Sequence, residues 1–288
     1  MLTRVPNPFQ PAVRSGPLST PTTTRNQLLR PYPQYLVVNS SAATYGSSIY
    51  HALQAKVEKR MARGFSFLAS YTLSKIIDDA GATTTGFPGE PVSGGGIQNH
   101  RNRRGERALA VFDVPHNLVM SSLWELPFRP GGVARHVVAG WQINGIATFR
   151  SGVPLGITGG NASQAFGGTQ RPNWSGQDAT LTGQKSGRLQ RYFDTAAFSF
   201  NDPFSFGNSP RLLPNLRGAG IHSMDLSVFK HFQIRESMRL QFRAEFFNFT
   251  NTPEFGLPNT AFGSPLFGVV GTQENFARDV QFALKLLF

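Results

Sequence analysis

Arg278-Asp279-Val280-Gln281-Phe282-Ala283-Leu284-Lys285-Leu286-Leu287-Phe288 is the stretch that decides how the rest of the sequence is read. Val280, Phe282, Leu284, Leu286 and Phe288 fall on one side of an extended chain. Asp279, Gln281, Ala283 and Lys285 fall on the other. That alternation has a period of two, the signature of a β-strand with unlike faces. Its length matches the ~9–11 residues a tilted strand needs to cross a bilayer. A soluble edge strand would instead carry a protective charge or proline on its exposed face.

The same period recurs upstream. Ile49, Leu53, Ala55 and Val57 oppose Tyr50, Gln54, Lys56 and Glu58. After a turn through Arg60–Gly64, Phe65, Phe67, Ala69, Tyr71 and Leu73 alternate with Ser66, Ser70, Thr72 and Ser74. Two such runs about a tight turn predict a β-hairpin. The Ala, Leu, Gln, Lys and Glu of Ile49–Arg60 also favour helix, and the aromatic alternation that follows decides for strand. Further strands are expected at about Val114–Leu126, Val138–Arg150, Ile221–Phe232 and Met238–Phe249, with turns at Pro127–Gly132 and Arg235-Glu236. Between them lie long stretches rich in Gly, Asn, Ser and Pro: 77–111, 151–217 and 250–276.

The expected fold class is therefore all-β, built of antiparallel transmembrane barrel strands. Residues 45–288 supply about seven strands, with short turns on one rim and long loops on the other. Residues 1–44, rich in Pro, Thr, Ser and Arg, read as an irregular loop region on the extracellular side. It contains an extended Leu29–Pro33 segment and a short strand near Tyr35–Val38. The alternative is a soluble extracellular β-sandwich, a ligand-binding or adhesin-like domain. It would bind through Tyr192, Phe193, Phe198, Phe200, Phe204 and Phe206, but a sandwich does not sort its loops by length so strictly.

Composition narrows the classes. Hydrophobic residues make up 40% of the 288, and no apolar run reaches the ~18 residues of a transmembrane helix. A barrel stays open, because alternation hides its apolar residues from hydropathy windows. The balance of 28 Lys and Arg against 16 Asp and Glu, a net +12, calls for an anionic partner. Arg101–Arg107 has no interleaved aromatics, so it reads as a solvated outer loop or a contact with anionic lipopolysaccharide, not a nucleic-acid patch. Adjacent carboxylates such as Asp78 and Asp79 point apart in a strand, and no second motif makes them a catalytic pair. His51, His100, His116, His136, His222 and His231 show no metal-ligand spacing. His116, at a strand start, reads as a capping or lumen group. Gly94-Gly95-Gly96 lacks the Lys-Ser/Thr of a phosphate loop and reads as flexible. The sequons at Asn161 and Asn248 read as chance matches. Neither enzyme activity nor a cofactor is expected.

Five phrases carry a resemblance. They are Leu28-Leu29-Arg30-Pro31-Tyr32-Pro33-Gln34, Ala69-Ser70-Tyr71-Thr72-Leu73-Ser74-Lys75 and Asp113-Val114-Pro115-His116-Asn117. Gly140-Trp141-Gln142-Ile143-Asn144-Gly145 and Arg243-Ala244-Glu245-Phe246-Phe247-Asn248-Phe249-Thr250-Asn251 complete the set. In this order they resemble the C-terminal barrel of TonB-dependent receptors, in particular the Oar-like group with a carboxypeptidase-regulatory-like domain. The resemblance implies a plugged barrel of about 22 strands in the bacterial outer membrane. It also implies energised transport of bulky ligands. The expected partners are outer-membrane lipid, lipopolysaccharide, the barrel-assembly machinery, and the remainder of the barrel and plug. TonB would be reached only through N-terminal parts. Met1–Pro8 shows no apolar leader, and an odd strand count would start the barrel outside, so a C-terminal fragment is expected.

Two groups of site residues follow. Asp225, Arg239, Arg243 and Glu245 are expected to face the lumen as a hydrated charge ladder that holds a plug or selects anionic solutes. Phe65, Trp124, Trp141 and Phe288 are expected to form an aromatic girdle at the periplasmic interface. On the same reading, Phe242→Arg is costly in the bilayer and Gln241→Arg is tolerated. The resemblance also implies that the assembly machinery reads Phe288 as an assembly signal. Burial of one ring is worth about 1.5–3 kcal/mol at most, too little to undo closed ladders of backbone hydrogen bonds. Deleting Phe288 from the intact protein should sharply lower its level in isolated outer membranes. The same variant refolded in detergent should keep near-normal heat-modifiable gel mobility. A normal membrane level would remove the assembly reading.

Overall fold

The computed structural model describes residues 3–36, 46–81, 94–128, 130–159, 169–203, 205–235 and 238–288. Its wall begins with a two-residue hairpin turn. Arg63 and Gly64 both take positive φ, 54° and 78°, as a type I′ turn requires to match the twist of its strands. A Cβ on Gly64 would stand 2.8 Å from the Glu125 carbonyl oxygen, so the turn also needs glycine for space. It joins β1 (Ser48–Ala62) to β2 (Phe65–Asp78). Pairing runs from Ser48 opposite Asp78 to Lys59 opposite Phe67, and this long ladder overrides the helical propensity of β1.

Five strands follow: β3 (His116–Glu125), β4 (Trp141–Arg150), β5 (Ile221–Arg235), β6 (Met238–Phe247) and β7 (Asp279–Leu287). Each pairs antiparallel with its sequence neighbours, in the order β1 to β7. The result is one up-and-down sheet, with Ala108–Leu109 added beside the loop end of β2. A sandwich would need a second sheet packed on this one. The described residues add only two-residue and three-residue ribbons, Asn173–Trp174 with Phe198–Ser199 and Arg4–Pro6 with Thr22–Thr24.

Several boundaries differ from the sequence reading: the first strand runs on to Ala62, the second to Asp78 and the fifth to Arg235, and the third starts at His116. The fourth strand starts at Trp141, not Val138, because Ala134–Val138 folds into a short helix. The ladder between β3 and β4 ends where Leu126 N–H donates to the Trp141 carbonyl, 2.9 Å. The sixth strand stops at Phe247, because Asn248 turns into positive φ (48°). Asn248 Oδ1 accepts from Thr252 N–H (2.9 Å), and its Nδ2 donates to the Thr252 and Phe276 carbonyls. Asn248 is thus a structural cap, which gives its sequon a physical meaning. Tyr35 and Leu36 are not in a strand, and the rest of the stretch near Tyr35–Val38 lies outside the described residues, as do Asn161 and Glu236.

Register sorts the faces, since directly opposed residues share one. Phe65 opposes Trp124, Trp124 opposes Ile143, and Ile143 opposes Val228. Val228 opposes Ala244, and Ala244 opposes Phe282. That single row is apolar across six strands. Among the described ladder residues no carboxylate falls on this face. Its lysines are Lys59 and Lys230 toward the turn rim and Lys75 toward the loop rim. The face is bare: Phe282 and Leu284 are 66% and 69% exposed. The buried core lies elsewhere, in the loops, where Leu155, Ile157, Tyr192, Phe193, Leu213 and Val270 cluster.

The register also refines which residue is neutral to charge. Gln241, on the polar face, is 6% exposed and accepts from Arg243 Nε at 2.7 Å. Gln281 is exposed and stands opposite Glu245. In a bilayer refolding titration of the intact protein, Phe242→Arg should cost about 2–4 kcal/mol and Gln281→Arg about 0–1. Equal costs would mean the apolar face does not meet lipid.

Candidate functional site

The loop end of the sheet is organised by four carboxylate–guanidinium pairs. Asp78 ends β2 and pairs with Arg211, whose side chain is fully buried. Arg211 also donates to the carbonyls of Asp78 (2.9 Å), Glu106 (3.0 Å) and Leu109 (3.3 Å). Glu106 closes a one-turn helix, Arg103–Glu106, and takes a two-point contact from Arg171 at 2.7 and 3.1 Å. Its Oε1 accepts from Asn99 N–H as well, 2.9 Å. Asp113 accepts from Ile76 N–H (2.7 Å) and pairs with Arg217, which also reaches the Gly152 carbonyl. Asp79 pairs with Arg103 at 2.9 Å, closer to solvent than the others. The Ser47 amide, and then Arg103, hold the Asp79 carboxyl below the ordinary aspartate range. A lowered value means its contribution is present above the unfolded pKa and is lost only as pH falls through the lower folded one.

These pairs revise three sequence readings. Asp78 and Asp79 do point apart, but each finds its own arginine in a different loop. The Arg101–Arg107 run is only partly solvated: Glu106 is buried and Arg103 is paired, while Arg101, Arg104 and Arg107 stay exposed. Gly94-Gly95-Gly96 is not a free loop. A Cβ on Gly94 would stand 2.7 Å from Gly156 Cα, so the glycines allow two backbones to touch. Arg211 and Arg217, absent from the sequence reading, flank the buried Leu212, Leu213 and Leu216. Apolar residues bracketed by arginines inside a Gly- and Asn-rich stretch are the local signal that marks them.

The long connections 151–217 and 250–276 meet over an aromatic core. Phe193 lies edge-on to Phe198 and Phe267, with centroids 6.1 and 5.1 Å apart, and Phe262 joins Phe267 at 5.4 Å. Tyr192 donates to the Arg217 carbonyl, 3.2 Å. Burial raises the Tyr192 hydroxyl pKa and lowers that of the neighbouring Lys185 ammonium. The aromatic set read as a ligand surface is therefore divided. Tyr192, Phe193 and Phe198 are core, and Phe206 is partly buried. Phe200 is 61% exposed beside Phe262, and Phe204 lies outside the described residues.

On the polar face, Glu245 opposes Ser227, Arg243 opposes Phe229 and Arg239 opposes Gln233. Asp225, two residues before Ser227, shares that face. No ion pair joins any two of the four among the described residues. Asp225 Oδ1 accepts from Asn248 N–H at 2.8 Å, and the Arg243 guanidinium stacks 4.8 Å over Phe229. His116 falls on the apolar face instead, opposite Leu73 and 2.8 Å from the Tyr71 hydroxyl. Of the aromatic set, Phe65 and Trp124 stand directly opposed, and Trp141 is two residues from Trp124's partner Ile143. Phe65, Trp124 and Trp141 share the apolar face, and Phe288 is one residue past the last ladder pair, Arg239 with Leu287. Phe288 lies four residues beyond Leu284, which sits in the row of Trp141, Lys230 and Phe242. Strand tilt displaces rows in this way.

The pairs predict a hierarchy. Arg211→Met leaves Asp78 buried without its partner, at a cost of about 3–5 kcal/mol. Arg103→Met removes a partly exposed pair worth about 0–1 kcal/mol. Hydrogen exchange over 94–113 and 207–217 should accelerate strongly in the first variant and barely in the second. Adding Asp78→Asn to Arg211→Met should restore part of the protection.

A family model described as an outer membrane beta barrel domain matches residues 2–281. No curated protein and no solved structure matches the chain. The amphipathic seven-strand meander and its loop crown agree with that match: the chain belongs to the outer membrane beta barrel domain family, and its place is the bacterial outer membrane.

Proposed function

We propose that this chain is the C-terminal wall of a TonB-dependent transporter barrel, with an ordered extracellular crown and no chemistry of its own. The observation that carries the reading is the pair of sheet edges. Among the described residues, β1 pairs only with β2 and β7 only with β6. Hydrocarbon offers no partner to bare N–H and C=O groups, so further strands must close the wall. A barrel wider than seven strands has a lumen that needs filling, and the polar face with Arg239, Arg243, Glu245 and Asp225 suits a plug better than a sealed core. The five phrases supply the finer identity, and the exposed Arg101, Arg104 and Arg107 suit lipopolysaccharide phosphates.

The test uses the intact protein in planar bilayers. A plugged transporter should show almost no steady conductance until urea displaces the plug, and it should bind the periplasmic domain of TonB. A steady porin-like conductance without TonB binding would overturn the proposal.

A further inference from the structure

The connection between β3 and β4 is unlike the Arg63-Gly64 turn of the same rim. Arg63-Gly64 is a minimal turn, whereas this segment carries the helix Ala134–Val138. Its exposed residues include large apolar ones, Phe128 at 51%, Val133 at 83%, Val137 at 67% and Val138 at 41%, with Arg135 and His136 exposed among them. Two hydrogen bonds fix where it leans. Trp141 Nε1 donates to the Val137 carbonyl at 2.8 Å. Lys230 Nζ donates to the Ala139 carbonyl. Both side chains belong to the apolar face, so the connection folds toward lipid and not into the lumen. The Lys230 ammonium lies 5.6 Å from the Trp141 ring and 5.1 Å from Phe232, and the residue is 2% exposed. Lys59 repeats the arrangement on the first hairpin, 4.9 Å over Phe65. With Arg135 on the helix, this side of the rim carries lysine and arginine, while the adjoining ladder face has no carboxylate.

We propose that the helix Ala134–Val138, with Phe128 and Val133, is an in-plane membrane anchor, seated in the headgroup zone of the periplasmic leaflet, with anionic phospholipid as its partner. The surface is continuous with the lipid-facing wall. Valines and Phe128 enter the acyl boundary, the buried Lys230 holds the connection in place, and exposed Arg135 and Lys59 hold the basic side at headgroup level. Each basic residue near an anionic surface strengthens attachment to it by about fivefold.

The sequence has no cysteine, so Val137→Cys, Val133→Cys and, as a crown control, Gln184→Cys each give this chain a single labelling site. The intact protein is labelled with an environment-sensitive fluorophore and placed in phosphatidylethanolamine vesicles with or without phosphatidylglycerol. Heat-modifiable mobility confirms folding in each sample. Labels at 133 and 137 should emit to the blue and be quenched by headgroup-proximal bromolipid, while the label at 184 stays water-like. Quenching by spin-labelled phosphatidylglycerol should exceed that by the phosphatidylcholine analogue about twofold or more, and Arg135→Gln should reduce the excess. Water-like emission at 133 and 137 in folded protein would overturn the anchor, leaving the valines to a periplasmic partner. Equal quenching by the two lipids would overturn the anionic preference.

Discussion

In a bilayer, every backbone N–H and C=O of a spanning strand must find a partner along the ladder. Most of what is unusual in this protein follows from that rule. The wall is stabilised edge to edge, strand by strand, and not face to face. Its apolar side chains need no protein layer above them, which is why the row from Phe65 to Phe282 lies open although it would be a core in water. A soluble fold of this length would bury those rings on a second layer.

The loops face the opposite problem. Water surrounds them, so they must build the core the wall lacks. They do so with the Phe193–Phe267 cluster, and they bind that core to the sheet through buried arginines. Replacing such a pair by apolar residues is often neutral, whereas removing one partner is costly. In this crown Arg211 satisfies three carbonyls at once, a task no aliphatic side chain performs. The arginines that are paired inside the crown are neutralised there. The net +12 is therefore carried by the groups outside those pairs, including exposed Arg101, Arg104 and Arg107.

The wall was legible from sequence because its signal is local. Period two survives in eleven residues, and the aromatic alternation of Phe65–Leu73 was enough to overrule helical propensity in β1. The shared face of Asp225, Arg239, Arg243 and Glu245 follows from the same period, but their bonding partners do not. Asp225 holds a backbone amide 23 residues away. The crown was least legible of all. Arg211 and Asp78 are 133 residues apart, Arg171 and Glu106 are 65, and no window around either member reports the other. Gly94-Gly95-Gly96 misled for the same reason: its demand for glycine comes from Gly156, in another loop.

Stagger explains the turn rim as well. Strands of a tilted sheet reach different levels, and β5 continues to Arg235 while its partner β4 begins only at Trp141, opposite Lys230. The edge of β5 beyond that point would present donors with no strand beside them. The connection before β4 fills the place. Gly140 O accepts His231 N–H at 3.0 Å, and the Ala139 carbonyl takes the Lys230 ammonium. A minimal turn like Arg63-Gly64 has no residues to spare for this. The added length between β3 and β4 thus answers the same constraint as the wall itself. Once the chain is drawn along the exposed edge of β5, its helix is carried to the lipid side, where Trp141 and Lys230 receive it.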